Sequence, residues 1–327
     1  MKLLSFRSSP LKTGLSLILA YLLFSLIYFH VPWTVRKGLY EKVPQIDRMF
    51  MRTGFGLLEN WDELALLGKD AAIPLYSSFR GDHEYAGYPS QGFKMLGRVK
   101  ILENRGYTSG YSDSMKNPLW VSYRIFDVPK LKSGERSSFT IDQRTRAKVK
   151  SGDYTHSGLD RGHMAPNYGI ATRYGRIGQK ETFLMSNIIP QNPNVNRHEW
   201  KDLEMRVAKK YGRFFTEVWV ITGPVFQDPV KKLDSGIPIP SHYYKIMVDE
   251  HRDTLRTLAF LIPADSPPWT RIKKRLTSID EIETQTGLDF FPELSEEDQI
   301  LLESSAAARL WPWIVPSLNY HMKNRTY

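Results

Sequence analysis

Seven residues, Asp160-Arg161-Gly162-His163-Met164-Ala165-Pro166, put an imidazole next to a turn-forming glycine, a guanidinium and a carboxylate. A second polar group follows: Ser186-Asn187-Ile188-Ile189-Pro190-Gln191, then Asn196, then Trp200-Lys201-Asp202-Leu203-Glu204. A neutral imidazole takes a proton from water near pH 7. A guanidinium stays charged and forks onto two oxygens. An amide oxygen such as that of Asn196 suits Mg²⁺, a hard ion that keeps most of its waters. It serves equally as a helix N-cap, since Asn is a favoured capping residue. Glu204 lies eight residues on, about 12 Å along a helix axis, where it reaches a metal's water shell or lies on a solvated face. Base, cation and metal are the parts that hydrolysis of a phosphodiester requires.

These segments, in this order and spacing, resemble the DNA/RNA non-specific endonucleases of the ββα-metal (His-Me finger) superfamily. The likeness rests on DRGHMAP, SNIIPQ, the spaced Asn196 and the W-x-x-L-E helix, and extends over roughly residues 93–310. It implies an α+β fold, a ββα-metal nuclease core with an antiparallel sheet flanked by helices. It also implies that His163 activates water, that Asn196 ligates a single Mg²⁺ or Mn²⁺ directly, and that Glu204 holds metal-bound water. Arg161 and Arg144 would offset charge on the phosphate, with Arg146 as a competitor for the second place. Asn187 would orient the site or contact phosphate; its plainer reading is an Asn that stabilises the turn before Pro190. Asp160 is expected to brace the motif, because a carboxylate facing phosphate would repel it. The implied reaction is sequence-non-specific hydrolysis of DNA, leaving 5′-phosphate ends, and the sequence leaves open whether RNA is cut too.

Elements that would carry these residues are legible in part. Gly97–Leu102, Leu119–Phe126, Phe215–Thr222, Tyr243–Val248 and Leu255–Ile262 read as strands. Glu199–Tyr211, Ile279–Thr286 and Ser295–Arg309 read as helices, and Lys130–Lys150 as irregular. Strands bracketing a helix, without βαβ alternation, argue for α+β. Upstream, Asp47–Leu67 has amphipathic spacing through Met51, Phe55, Leu58, Trp61 and Leu64. Ala72–Gly92 reads as a linker or wrapping loop. The expected organisation is a signal anchor or signal peptide over 1–33, an extension over 34–92, the nuclease domain over 93–310 and a tail over 311–327.

Lys2, Arg7 and Lys12 precede an uncharged run from Thr13 to Phe29, the pattern of a signal segment. No small-x-small cleavage site follows, which favours an uncleaved anchor, with the nuclease on the periplasmic or extracellular side. A cleaved segment would give a secreted protein. The chain of 327 residues carries 45 Lys+Arg against 35 Asp+Glu, a net +10, and such an excess favours polyanions: nucleic acid or an anionic membrane. It has no cysteine, which excludes disulfides, thiolate metal sites and a cysteine nucleophile. No H-E-x-x-H, G-x-S-x-G or P-loop occurs, and no small-molecule cofactor is implied. The competing reading is a membrane-tethered nucleic-acid-binding protein with an inactive site. The intact His163, Asn196 and Glu204 argue against it. Nothing in the sequence sets an oligomeric state.

Overall fold

The computed structural model describes residues 10–311 apart from 32, 44, 48, 52, 55–56, 58–71, 75–80, 92–97, 128–130, 132, 213–214, 216 and 252–253. The chain divides into two compact units, Met1–Leu66 and Leu67–Tyr327.

The first unit holds α1 (Pro10–Phe29), α2 (Trp33–Lys42) and further helical residues between 45 and 57. Of the amphipathic set expected there, Phe55, Leu58, Trp61 and Leu64 lie outside the described residues. Leu15, Leu17, Leu19, Leu23 and Ile27 of α1 are exposed. The run is not uniformly apolar in what it packs against. Tyr21, Ser25 and Tyr28 recur at helical spacing, and the Tyr21 hydroxyl meets that of Thr53 at 2.7 Å. The Tyr28 hydroxyl donates to Asp47, whose carboxylate also takes a hydrogen bond from Arg36 at 2.8 Å. Among the described residues no helix is long and apolar enough to cross a membrane.

The second unit is built on an antiparallel sheet. Its strands are β1 (Ala72–Pro74), β3 (Val99–Glu103), β4 (Thr108–Ser112), β5 (Asn117–Phe126), β8 (Glu217–Val225), β9 (His242–His251) and β10 (Thr254–Pro263). Two pairs named here lie apart from it: β2 (Ser90–Gln91) with β12 (Leu288–Asp289), and β6 (Asp160–His163) with β7 (Ile188–Gln191). The order across the large sheet is β1-β10-β9-β8-β5-β4-β3, with β11 (Leu276–Thr277) on β10 as its eighth strand.

Period-two alternation explains why the central strands read as continuous apolar runs: both faces are covered. Val121, Tyr123 and Ile125 of β5, Val218 and Val220 of β8 and Leu258, Phe260 and Ile262 of β10 enter one core. Trp200, Leu203, Val207 and Tyr211, from the helical stretch that precedes β8, enter the same core. The intervening Trp120, Trp219, Ile221, Ile246 and Val248 enter a second core. There they meet Ile279 and Ile282 of a C-terminal helix, together with Phe290 and Leu302.

The helices of this unit are α3 (Asn167–Glu181), α4 (Lys201–Arg206), α5 (Ile279–Thr286) and α6 (Glu296–Glu303). α4 is the middle of a longer helix, with π-helical turns at Val195–Trp200 and Val207–Tyr211. The helix expected from Glu199 thus begins four residues earlier, and the one expected over Ser295–Arg309 ends at Glu303. Short β4 and glycine-rich α3, which bends at Gly175 (φ 75°), carry too little periodicity to be expected from sequence. The stretch read as a linker takes part in the folded unit: Tyr85 and Ala86 are fully buried, and the Tyr85 hydroxyl donates to Glu250 at 2.6 Å.

Candidate active site

The finger that carries the motif is the β6–β7 ladder. It pairs Asp160 with Gln191, Arg161 with Pro190, Gly162 with Ile189 and His163 with Ile188. Glycine at 162 has a steric reason, because a Cβ there would overlap the Gln191 side chain. α3 leaves the finger after Pro166, and the π-helical turn that starts at Val195 follows β7. Two strands and that helix form the ββα unit. The indole of Trp200, itself fully buried, donates to the His163 carbonyl at 3.1 Å and ties helix to finger.

Asn187 is wholly buried, and every polar atom of its amide is used inside the protein. Its Oδ1 accepts from the Ala165 amide at 2.8 Å, and its Nδ2 donates to the carbonyls of Ala165 and Thr182. It clamps the end of β6 to the start of β7 and does not face solvent.

His163 lies between two rings, Phe139 at 5.5 Å and Phe183 at 5.1 Å, and its buried Nε2 has no hydrogen-bond partner among the described residues. Burial, with the nearby Arg136 cation adding to it, pulls the imidazole down from 6.5 to about 3. The ring is neutral at pH 7, the form that accepts a proton. The folded chain thus binds fewer protons here than the unfolded chain between pH 3 and 6.5. The stabilisation this gives is complete above 6.5 and is lost as pH falls towards 3. We expect NMR of the metal-free protein to show His163 neutral down to about pH 4; a midpoint near 6.5 would refute the buried, cation-flanked environment.

Asp160 fixes two side chains of the π-helical turn. Its Oδ2 accepts from Asn196 Nδ2 and from Arg197 Nε, each at 2.9 Å, and its Oδ1 accepts from Arg197 at 2.7 Å. Burial works to raise this carboxyl, but these hydrogen bonds hold it below the usual range. An amide that must give its NH₂ to a carboxylate turns its oxygen the other way. Asn196 therefore presents Oδ1, a hard neutral donor, without a described partner of its own.

Glu204, one turn past Trp200 on α4, faces a second buried group. Lys245 on β9 is fully buried, with its Nζ 4.1 Å from the Trp200 ring centroid and 3.3 Å from the Tyr123 hydroxyl. Burial raises Glu204 to about 7 against the pull of Lys245, and burial lowers Lys245 to about 8 against the pull of Glu204. Each group limits what desolvation would do to the other.

The arginines differ. Arg161 Nε donates to the Ser151 carbonyl at 3.0 Å, and the guanidinium lies 5.8 Å from the Tyr154 ring centroid. Its NH1 makes no hydrogen bond to a described residue. Arg144 is held on every nitrogen: by both oxygens of Asp142, by the Glu103 carbonyl and by Asn104 Oδ1. The buried Asp142 carboxylate also accepts from Ser186 at 2.6 Å, so Arg144 braces the segment behind the site. Arg146 is exposed, its amide bonded to Asp113. Arg136, within the segment read as irregular, is the cation that reaches His163. It arrives there because Thr140 bridges Leu184 and so lays 136–140 along the end of the finger.

Arg197, Arg136 and Lys245 are the functional neighbours that motif spacing passed over, whereas Asp160 braces the motif as its place there led one to expect. Only Lys245 left a trace: a charged residue at an inward position of the apolar strand Tyr-Tyr-Lys-Ile-Met-Val.

The chain is similar to proteins already known. A family model described as DNA/RNA non-specific endonuclease matches residues 86–297. The mitochondrial nuclease EXOG of Danio rerio is 30% identical over 253 residues, covering 69% of this chain and 72% of the relative. Mitochondrial endonuclease G of Bos taurus is 28% identical over 240 residues, 68% of this chain and 78% of the relative. A crystal structure of an EndoG/EndoGI inhibitory complex superposes with a TM-score of 0.58 at 26% identity, covering 68% of this chain and 95% of that one.

Proposed function

Because the chain belongs to the DNA/RNA non-specific endonuclease family, and is an endonuclease by that membership, we propose how its own residues cut. The observation that carries the reading is the Asp160–Asn196 hydrogen bond, which turns a hard amide oxygen away from that carboxylate, in a ββα unit that also carries a neutral His163. The donor set is an amide oxygen and a carboxylate, which suits a hard divalent ion such as Mg²⁺ and offers nothing to a soft one. Asn196 would hold such an ion directly and Glu204 through water, and the ion would supply neutralisation of charge at the phosphate. His163 takes a proton from the attacking water, the role of a general base. Arg161 and Arg136 lie on the finger and beside His163, placed to offset charge on the phosphoryl oxygens. In-line attack by that water leaves a 5′-phosphate and a 3′-hydroxyl. Asn187, Asp142 and Arg144 keep the finger in shape.

Affinity comes from the net +10 charge through phosphate contacts, so binding is sequence-independent and falls steeply with salt. Residues 1–66 form a compact unit separate from the rest, and we assign them to targeting or attachment and not to chemistry. The test is cleavage of plasmid and of RNA by the full chain and by one lacking residues 1–66, with Mg²⁺ or with EDTA. Metal-dependent nicking of similar rate by both chains is expected. No cutting by folded protein with any of several divalent metals would sink the reading in favour of a nucleic-acid binder. Loss of cutting in the shortened chain alone would give the first unit a part in catalysis.

A further inference from the structure

On the far face of the sheet, three carboxylates meet, and the charges that bear on the most buried of them among the described residues are all negative. Asp280 and Glu283 stand three residues apart on α5, hence on one side of it, and Glu303 ends α6. One oxygen from each lies within 4.8 Å of the others. Glu303 is 4% exposed, and its Oε1 is buried with no hydrogen-bond partner among the described residues. A buried carboxylate oxygen left bare is costly, and it lies at the C-terminal end of a helix, where the backbone dipole also disfavours negative charge. Glu283 is fixed in place, since one of its oxygens accepts from the Phe290 amide at 2.7 Å. The charges that face Glu303 are those of Glu283, Asp280 and Asp289, all negative. Asp280 is exposed, so one side of the cluster is open to water.

We propose that Asp280, Glu283 and Glu303 form a binding site for a divalent cation of the calcium class, which fastens α6 to α5. Two oxygens on one ion are separated by at most twice the metal–oxygen distance. Oxygens all within 4.8 Å of one another are close enough to share one ion, and three carboxylates of one chain suit Ca²⁺, whereas Mg²⁺ is usually held by one or two and keeps several waters. Water from the open side, and bidentate binding by a glutamate, would complete its six to eight ligands. In the ion-free chain, burial and then the neighbouring carboxylates push Glu303 up to about 8. Burial, with Asp289 and Asp280 adding to it, pushes Glu283 up to about 7. A cation at this point removes both strains at once.

The test uses the full chain carrying Asn196→Ala, which disables the candidate catalytic ion site. Calcium titration by calorimetry should show one ion per chain with Kd between about 10 µM and 1 mM, and calcium should raise the thermal midpoint. Glu303→Gln should weaken binding by at least about 30-fold and abolish the thermal shift; Asp280→Asn, at an exposed position where folding is not at risk, should weaken it several-fold. No binding at about 10 mM Ca²⁺, or binding that neither substitution alters, would overturn the site. Mg²⁺ binding in preference to Ca²⁺ would overturn the calcium assignment.

Discussion

His163→Ala slows plasmid cleavage by about 10²–10⁴-fold at saturating metal, while the affinity for DNA changes by less than about threefold. The asymmetry follows from where the side chain sits. His163 is enclosed by Phe139 and Phe183 and flanked by Arg136. It carries no charge at neutral pH and so adds nothing to attraction for phosphate. What it offers is a lone pair held in one orientation, and that matters only as a proton leaves water. The folded protein should tolerate the change, since the buried Nε2 satisfies no hydrogen bond that alanine would break. A measured loss below about tenfold, with metal and substrate saturating, would remove His163 from the role of general base. A large loss accompanied by equally weakened DNA binding would point instead to a distorted finger.

Lys245→Met is expected to cost about 1–3 kcal/mol of stability, because it takes away the cation that faces the half-buried Glu204, which protonates in answer. Methionine keeps most of the volume against Trp200, so the loss reports charge and not packing. Glu204→Gln in the same chain should restore much of that stability, since a neutral amide has no need of a buried cation. Activity should stay low in both. Glu204 without Lys245 holds its proton more firmly at pH 7, and glutamine has no charge with which to order water. A urea or thermal melt of the two variants beside wild type measures the first part, and the metal concentration needed for half-maximal cutting measures the second. If Lys245→Met proves as stable as wild type, the two groups do not compensate one another and the burial assigned to them is wrong. If it cuts normally at wild-type metal concentrations, Lys245 has no influence on the ion-holding side of the site.

Strand identity was legible wherever apolar and β-branched residues ran together, as in Leu119–Phe126 and Phe215–Thr222. Strand ends were less so: β8 begins at Glu217, and β9 and β10 run to His251 and Pro263. Where the pattern is weak, as in the Thr-Ser-Gly-Tyr-Ser of β4, pairing on both sides makes a strand that propensity alone does not suggest. The residues of the motif could be named from their order, but not their division of labour. Asn187 and Arg144 look like ligands for phosphate on paper, because Asn and Arg often are. Only the folded chain gives Asn187 three internal hydrogen bonds and gives Arg144 a carboxylate, a carbonyl and an amide to hold. Arg136 was hidden for the opposite reason. Its neighbours have no periodicity, and it reaches His163 through a single bridge between distant stretches.

The β6–β7 ladder shares no hydrogen-bonded rung with the large sheet. The proposed chemistry, Arg136 apart, is therefore carried by a cassette of contiguous chain, Asp160 to Glu204, beside a platform formed by the large sheet. A platform of this kind accepts drift in its side chains as long as inward and outward positions keep alternating and both faces stay filled. The cassette accepts far less, because Asn187, Asp160 and Trp200 each hold specific partners and Gly162 leaves room for the Gln191 side chain. The 30% identity to the Danio rerio relative is therefore expected to concentrate in the finger, and aligning the two sequences position by position checks it.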